Sequence, residues 1–155
     1  ECIKLFETFN VLTKRELESR VEIKFDAYSN TKLVEFRLAV DICRREVMPA
    51  ILGQLNQLGS TYSHGTNLKL NCVGIQNDFR ALEEIYSKLQ TKIDYLNKFI
   101  DATDNEDDSY EKAYKTATKG VDLLQSLRDD VDQAEALVSK EIWPLPSYDD
   151  LLLSI

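Results

Sequence analysis

The 155-residue chain has little of what sharp turns, cross-links and anion sites are built from: 5 Gly, 3 Pro, 3 Cys and a single His. So few glycines and prolines leave too few turn positions for a β-sandwich. Cys2, Cys43 and Cys72 are odd in number and far apart, which excludes a disulfide framework and lacks the close pairs of a zinc site. They read as reduced thiols. Positive charge is scarce too, with 19 Lys and Arg against 27 Asp and Glu and a net charge of -8. That balance opposes a phosphate backbone and an anionic membrane surface. No apolar run approaches the roughly 20 residues of a spanning helix. Neither nucleic acid nor membrane is expected as a partner, and the protein is expected to be soluble and cytoplasmic. The chain opens on Glu1-Cys2-Ile3 with no initiator Met, basic leader or apolar leader core, so a piece of a longer protein is expected.

What is there is helical. Hydrophobic residues at 43% and charged residues at 30% suit long amphipathic helices in one all-α domain over 1–155. Thr13-Lys14-Arg15-Glu16 is a capping box, so a helix starts at Thr13, with Leu17, Val21, Phe25 and Tyr28 along one face. Ser29-Asn30-Thr31 should weaken it. Leu33, Phe36, Val40, Cys43, Val47 and Ala50 then alternate by three and four up to Pro49, which removes an N–H and should kink the preceding turn. The first helical half is expected over 1–58, and the Gly, Ser, Thr and Asn-rich stretch over 59–69 reads as a loop. A helical hairpin follows over 70–140. One seam is Ile75, Phe79, Leu82, Tyr86, Leu89, Ile93, Leu96 and Ile100. The other is Tyr110, Ala113, Ala117, Gly120, Leu124, Leu127, Val131, Ala134 and Val138. The short link from Asp101 to Asp108 forces the two to return antiparallel, while Lys92 and Asp129 fall on the wet face.

Catalytic chemistry is hard to find. Asp101 to Ser109 places oxygen side chains at alternate positions, but Glu106 stands where a calcium loop turns on Gly, and Lys112 stands where it needs a bidentate Glu. The stretch reads as a solvated link in which Asp107 or Asp108 caps the next helix. His64, between Ser63 and Gly65, has no orienting acid or thiol at a useful spacing. Lys14-Arg15 and Arg44-Arg45 have acids three or four residues away and read as surface ion pairs. There is no phosphate-cradling Gly loop, no nucleophile elbow and no Glu/His cluster. No catalytic, cofactor-binding or metal-ligating residue is assigned.

The last stretch, 141–155, is a docking tail. Pro144 and Pro146 stop the helix, and Leu151 to Ile155 is too apolar for water. The fold expected is an antiparallel helical bundle with a long αα-hairpin and a C-terminal Trp-Pro-x-Pro strap. Its docking residues would be Trp143, Pro144, Pro146, Tyr148, Leu151 and Leu152.

The tail, with Trp143, Pro144, Pro146, Tyr148, Asp150, Leu151 and Leu152, resembles the Trp-Pro-x-Pro-x-Tyr-x-[Asp/Glu]-Leu-Leu ending of the long, type III glutamine synthetases. The segment from Phe9 to Ile23 is similar to that family's Asn-Val-Leu-Ser-x-Arg-Glu-x-x-Ser-Arg-Tyr-Glu-Ile, and Val47-Met48-Pro49-Ala50 to its Ile-Leu-Pro-Ala. Val21 departs from the usual Tyr, and Phe36 stands where a small residue is usual; 58–140 matches in helical character alone. The resemblance implies a parent that joins glutamate and ammonia at the expense of ATP, with Mg or Mn, on residues outside this segment. For this segment it implies a structural role in a homo-oligomer, against the parent's catalytic domain and neighbouring subunits. The other reading is a free-standing helical module for protein recognition.

Overall fold

The computed structural model of the chain describes residues 2–146 and 148–153. Among the described residues it is helical, without strands. A short α1 (Cys2–Thr8) precedes α2 (Lys14–Ile42), and a π turn over Cys43–Val47 joins α2 to α3 (Met48–Asn67). Next come α4 (Val73–Asp104), α5 (Ser109–Lys115), a second π turn over Thr116–Gly120, α6 (Val121–Glu135) and α7 (Tyr148–Leu153).

The local reasons are mostly those in the sequence. Asn10, at φ 53, ends α1 in the left-handed conformation that Asn tolerates. The Thr13 capping box is complete: Thr13 N–H donates to the Glu16 carboxylate at 2.8 Å, and Glu16 N–H donates to Thr13 Oγ1 at 3.3 Å. The helix then runs straight through Ser29-Asn30-Thr31, where weakening was expected. Ser29 is fully buried and donates back to Phe25 O at 2.8 Å, so its hydroxyl is satisfied without breaking the helix. Pro49 acts through the turn before it, where Met48 N–H reaches back five residues to Cys43 O. This wider turn accommodates the ring without ending the helix.

The expected loop over 59–69 is corrected. Residues from Gly59 to Asn67 continue α3, and the chain turns between Leu68 and Cys72. Turn-prone composition loses because the hydroxyls bond within the helix: Thr61 donates to Gln57 O at 2.8 Å and Ser63 to Gly59 O at 3.0 Å. The helix ends where Leu70 N–H bonds Gly65 O and Lys69 N–H bonds Thr66 O, with Lys69 at φ 57, a Schellman turn made without glycine. Gly65 is needed for a different reason: a Cβ there would lie 2.3 Å from Cys72 Sγ.

The long rods run up, down and up. Arg44 pairs with Asp94 at 3.0 Å and Arg37 with Asp104, so α4 descends beside α2 and α3. Ser109 donates to Asp26 at 2.7 Å, and Ser139 N–H donates to Gln54 Oε1 at 3.2 Å, so the third rod rises parallel to the first. The hairpin of α4 with α5 and α6 is antiparallel, Lys92 lying beside Ser126 and Asp130 while Lys119 lies over the rings of Tyr95 and Phe99. Leu33, Phe36, Val40, Val47 and Ile51 meet Leu82, Leu89, Ile93 and Leu96 in one core, closed by Leu127, Ala134 and Val138. Each buried Leu or Ile contributes about 1.5–3 kcal/mol. The third rod departs from its expected seam. Thr116 is buried and Ala117 exposed, because the π turn takes more residues per turn and rotates the face. Helix α6 also stops at Glu135, short of the expected 140.

All three rods meet at Gly120. Phe36 and Phe99 pack with ring centroids 6.4 Å apart, and a Cβ on Gly120 would sit 2.7 and 2.8 Å from Phe36 ring carbons and 3.0 Å from Phe99. Gly120→Ala should therefore cost about 1–3 kcal/mol by overpacking. Gly59→Ala, whose Cβ would meet Phe79 at an ordinary 3.7 Å, should gain about 0.5–1 kcal/mol of helix stability. Urea unfolding of both variants tests this; equal effects would show that Gly120 is not a close contact of the rods.

Candidate docking site

The tail begins where α6 frays. Val138 N–H bonds Ala134 O, and the N–H groups of Ile142 and Trp143 both bond Ser139 O, at 2.9 and 3.0 Å. These turns bring Trp143 back onto the bundle, where it is 9% exposed and joins the core. Ile142 packs beside Gly53, and Leu145 is half-buried against the same cluster. A shallow pocket of about 210 Å³ lies beside the indole, lined by Glu135, Val138, Lys140, Trp143, Leu145 and Asp150. The indole N–H has no hydrogen-bond partner.

The other proposed docking residues behave differently. Pro144 and Pro146 are exposed, and Leu151 and Leu152 are 59% and 68% exposed on this chain. Helix α7 is tied to the preceding turn by the pair of Lys140 and Asp150 at 3.1 Å. The Tyr148 side chain lies outside the described residues.

The acidic link is tied down by cations. Asp104 pairs with Arg37 and Lys112, Glu106 pairs with Lys115, and Asp108 accepts the Glu111 N–H at 2.9 Å as the cap of α5. The hydrogen bond from Arg37 holds the Asp104 carboxyl below its usual range, and the one from Lys115 does the same for Glu106. His64 sits on the exposed side of the last turns of α3, in helix instead of loop. Arg45 pairs with Asp41 at 3.0 Å and Lys14 with Glu18 at 3.6 Å, four residues apart in each case. Burial pushes the Cys43 thiol up to about 11, so it stays protonated and unreactive.

Among the described residues, no three His, Cys, Asp or Glu side chains converge as metal ligands, and no helix is long and apolar enough to cross a membrane. What the surface does carry is apolar side chains near the N-terminus. Leu5, Phe9 and Val11 are 57%, 70% and 60% exposed on an arm that packs against α2. Spacing alone did not mark this arm, because amphipathic helices look alike whichever body covers them.

The described residues thus form an all-helical bundle with exposed apolar side chains on its N-terminal arm. Residues 1–65 match the family described as the glutamine synthetase C-terminal domain. The chain is 25% identical over 160 residues to the type-3 glutamine synthetase of Dictyostelium discoideum, covering 97% of this chain and 21% of that protein. Glutamine synthetases of Bacteroides fragilis and Butyrivibrio fibrisolvens are 21% and 23% identical, over 93% and 100% of this chain. The chain spans about a fifth of the length of these relatives.

One buried polar link changes an expectation from the sequence. Lys92, expected to be wet, reaches Asp130 Oδ2 at 2.6 Å and donates to Ser126 O at 2.8 Å; Asp130 is 6% exposed. Lys92→Ala would strand a buried carboxylate whose Oδ2 has no well-directed hydrogen bond, and should cost about 3 kcal/mol. The exposed Asp129 should cost under about 0.5 kcal/mol as Ala. Equal melting-temperature losses in the two variants would show that the link is unimportant.

Proposed function

We propose that the chain is the C-terminal structural domain of a cytoplasmic glutamine synthetase. It packs on the parent's catalytic part and on neighbouring subunits of a homo-oligomer, while ATP and Mg or Mn are handled elsewhere in the parent. The observation that carries this reading is the arm. Leu5, Phe9 and Val11 lie inside the stretch matching the C-terminal-domain family, and are more exposed than a finished surface of such size would leave them. Covering them requires protein beyond this bundle.

In the full-length protein, Phe9→Asp together with Val11→Asp should reduce the assembled species on gel filtration, while the isolated chain carrying the same changes keeps its melting temperature. Unchanged assembly would overturn the role of the arm. The isolated chain should give no saturable heat on titration with Mg-ATP, because phosphate positioning and metal ligation need groups acting together. Micromolar binding would place part of the active site here.

The tail is read as a strap that holds the bundle's open end, with Trp143 as its anchor. An indole followed by proline has a stiff backbone and loses less entropy when it docks. Trp143 is the single tryptophan in the sequence, so its fluorescence reports on the tail. Its emission should be blue-shifted and shielded from iodide in the folded chain, and Trp143→Ala should cost about 3–5 kcal/mol. A red-shifted, freely quenched emission would rule the strap out.

A further inference from the structure

Helix α2 is apolar on two sides. Its inner face buries Ser29, Leu33, Phe36 and Val40. At 3.6 residues per turn, Ile23, Ala27, Val34 and Leu38 fall on the opposite side. The three large members of this outer row are 63%, 61% and 58% exposed. They form a line about 22 Å long, at 1.5 Å per residue, on a helix whose core obligation is already met.

We propose that this outer row is an interface with a second copy of the chain, the two α2 helices packing antiparallel about a twofold axis beside Asn30 and Thr31. The row is complementary to itself in that register and direction. Ile23 meets the second copy's Leu38, and Ala27 meets its Val34, members of each pair falling on opposite sides of the centre line so that the side chains interdigitate. The small Ala27 next to the axis allows close approach. The charges bordering the row agree. Arg20 comes opposite the second copy's Asp41, opposite in sign, and the twofold repeats the pair. Both residues are exposed. Asp41 already pairs with Arg45 along its own helix at 3.0 Å, so Arg20 of the second copy extends an existing pair and does not have to bury a bare charge. The charge order along the helix is what selects a second copy over an unrelated apolar partner. The interface does not depend on the role proposed for the arm, which lies on other residues.

Sedimentation of the intact 155-residue chain tests this directly. The expected result is a reversible, concentration-dependent dimer, weak because the row is short. Leu38→Glu should raise the dissociation constant roughly tenfold or more with unchanged helical circular dichroism. Arg20→Glu should weaken the dimer, and Arg20→Glu combined with Asp41→Arg should restore it, which loss of a local helix pair would not do. Asn30→Cys, made together with Cys2→Ser and Cys72→Ser, should oxidise to a cross-linked dimer, whereas Ser60→Cys in the same background should not. A chain that is monomeric at every concentration, or a dimer indifferent to Leu38 and to the charge exchange, would overturn the proposal.

Discussion

Everything in this fold leans on the contact of Phe36 and Phe99 against the bare backbone of Gly120. It is where the three rods meet, each contributing one residue to the junction. The third rod can approach only because its residue there has no side chain, and the two rings fill the space that a Cβ would have occupied. The π turn that ends at Gly120 belongs to the same arrangement. It lets the lower part of the rod follow α2, while the upper part lies along α4 in the hairpin, a change of face that a regular helix would not make within one turn. The earlier π turn, before Pro49, serves the first rod in the same way, keeping it continuous where proline would otherwise break it.

Around this junction the bundle is held by apolar burial, with polar groups fixing register. Most ion pairs lie on the surface, where each is worth little. The Lys92 to Asp130 pair is different, since one of its partners is buried, and it fixes α4 against α6 at one height. At the link between α4 and α5 the lowered carboxyl pKa values have a definite sign. Asp104 and Glu106 stabilise the folded state above their unfolded pKa values, and that contribution is lost as pH falls through the folded ones. The acid link that looks like a cation site in sequence therefore acts as a clasp between rods, its charges answered by Arg37, Lys112 and Lys115.

The division between inside and outside bears on function. Trp143 is buried against the bundle from within the chain, whereas Leu5, Phe9 and Val11 near the other terminus are exposed. That contrast accompanies the similarity of the chain to the C-terminal domain of much longer glutamine synthetases.

Sequence by itself determined the helical class, the start of α2 at its capping box, the seam from Leu33 to Ala50 and the antiparallel return of the hairpin. Each of these follows from local hydrogen bonds or from an apolar period that repeats often enough to be unambiguous. The tail motif and the segment from Phe9 to Ile23 also carried the resemblance to glutamine synthetases. Only the tertiary structure decided that Gly59 to Asn67 stays helical, because composition favours a turn there while packing against α4 and hydroxyl bonds to earlier carbonyls favour the helix. Only it replaced Ala117 by Thr116 in the core, turned Lys92 inward and left Leu151 and Leu152 outside. A residue's period says which face of its helix it occupies; whether that face is covered depends on where the neighbouring rods lie, and their placement is set by contacts between residues far apart in the chain.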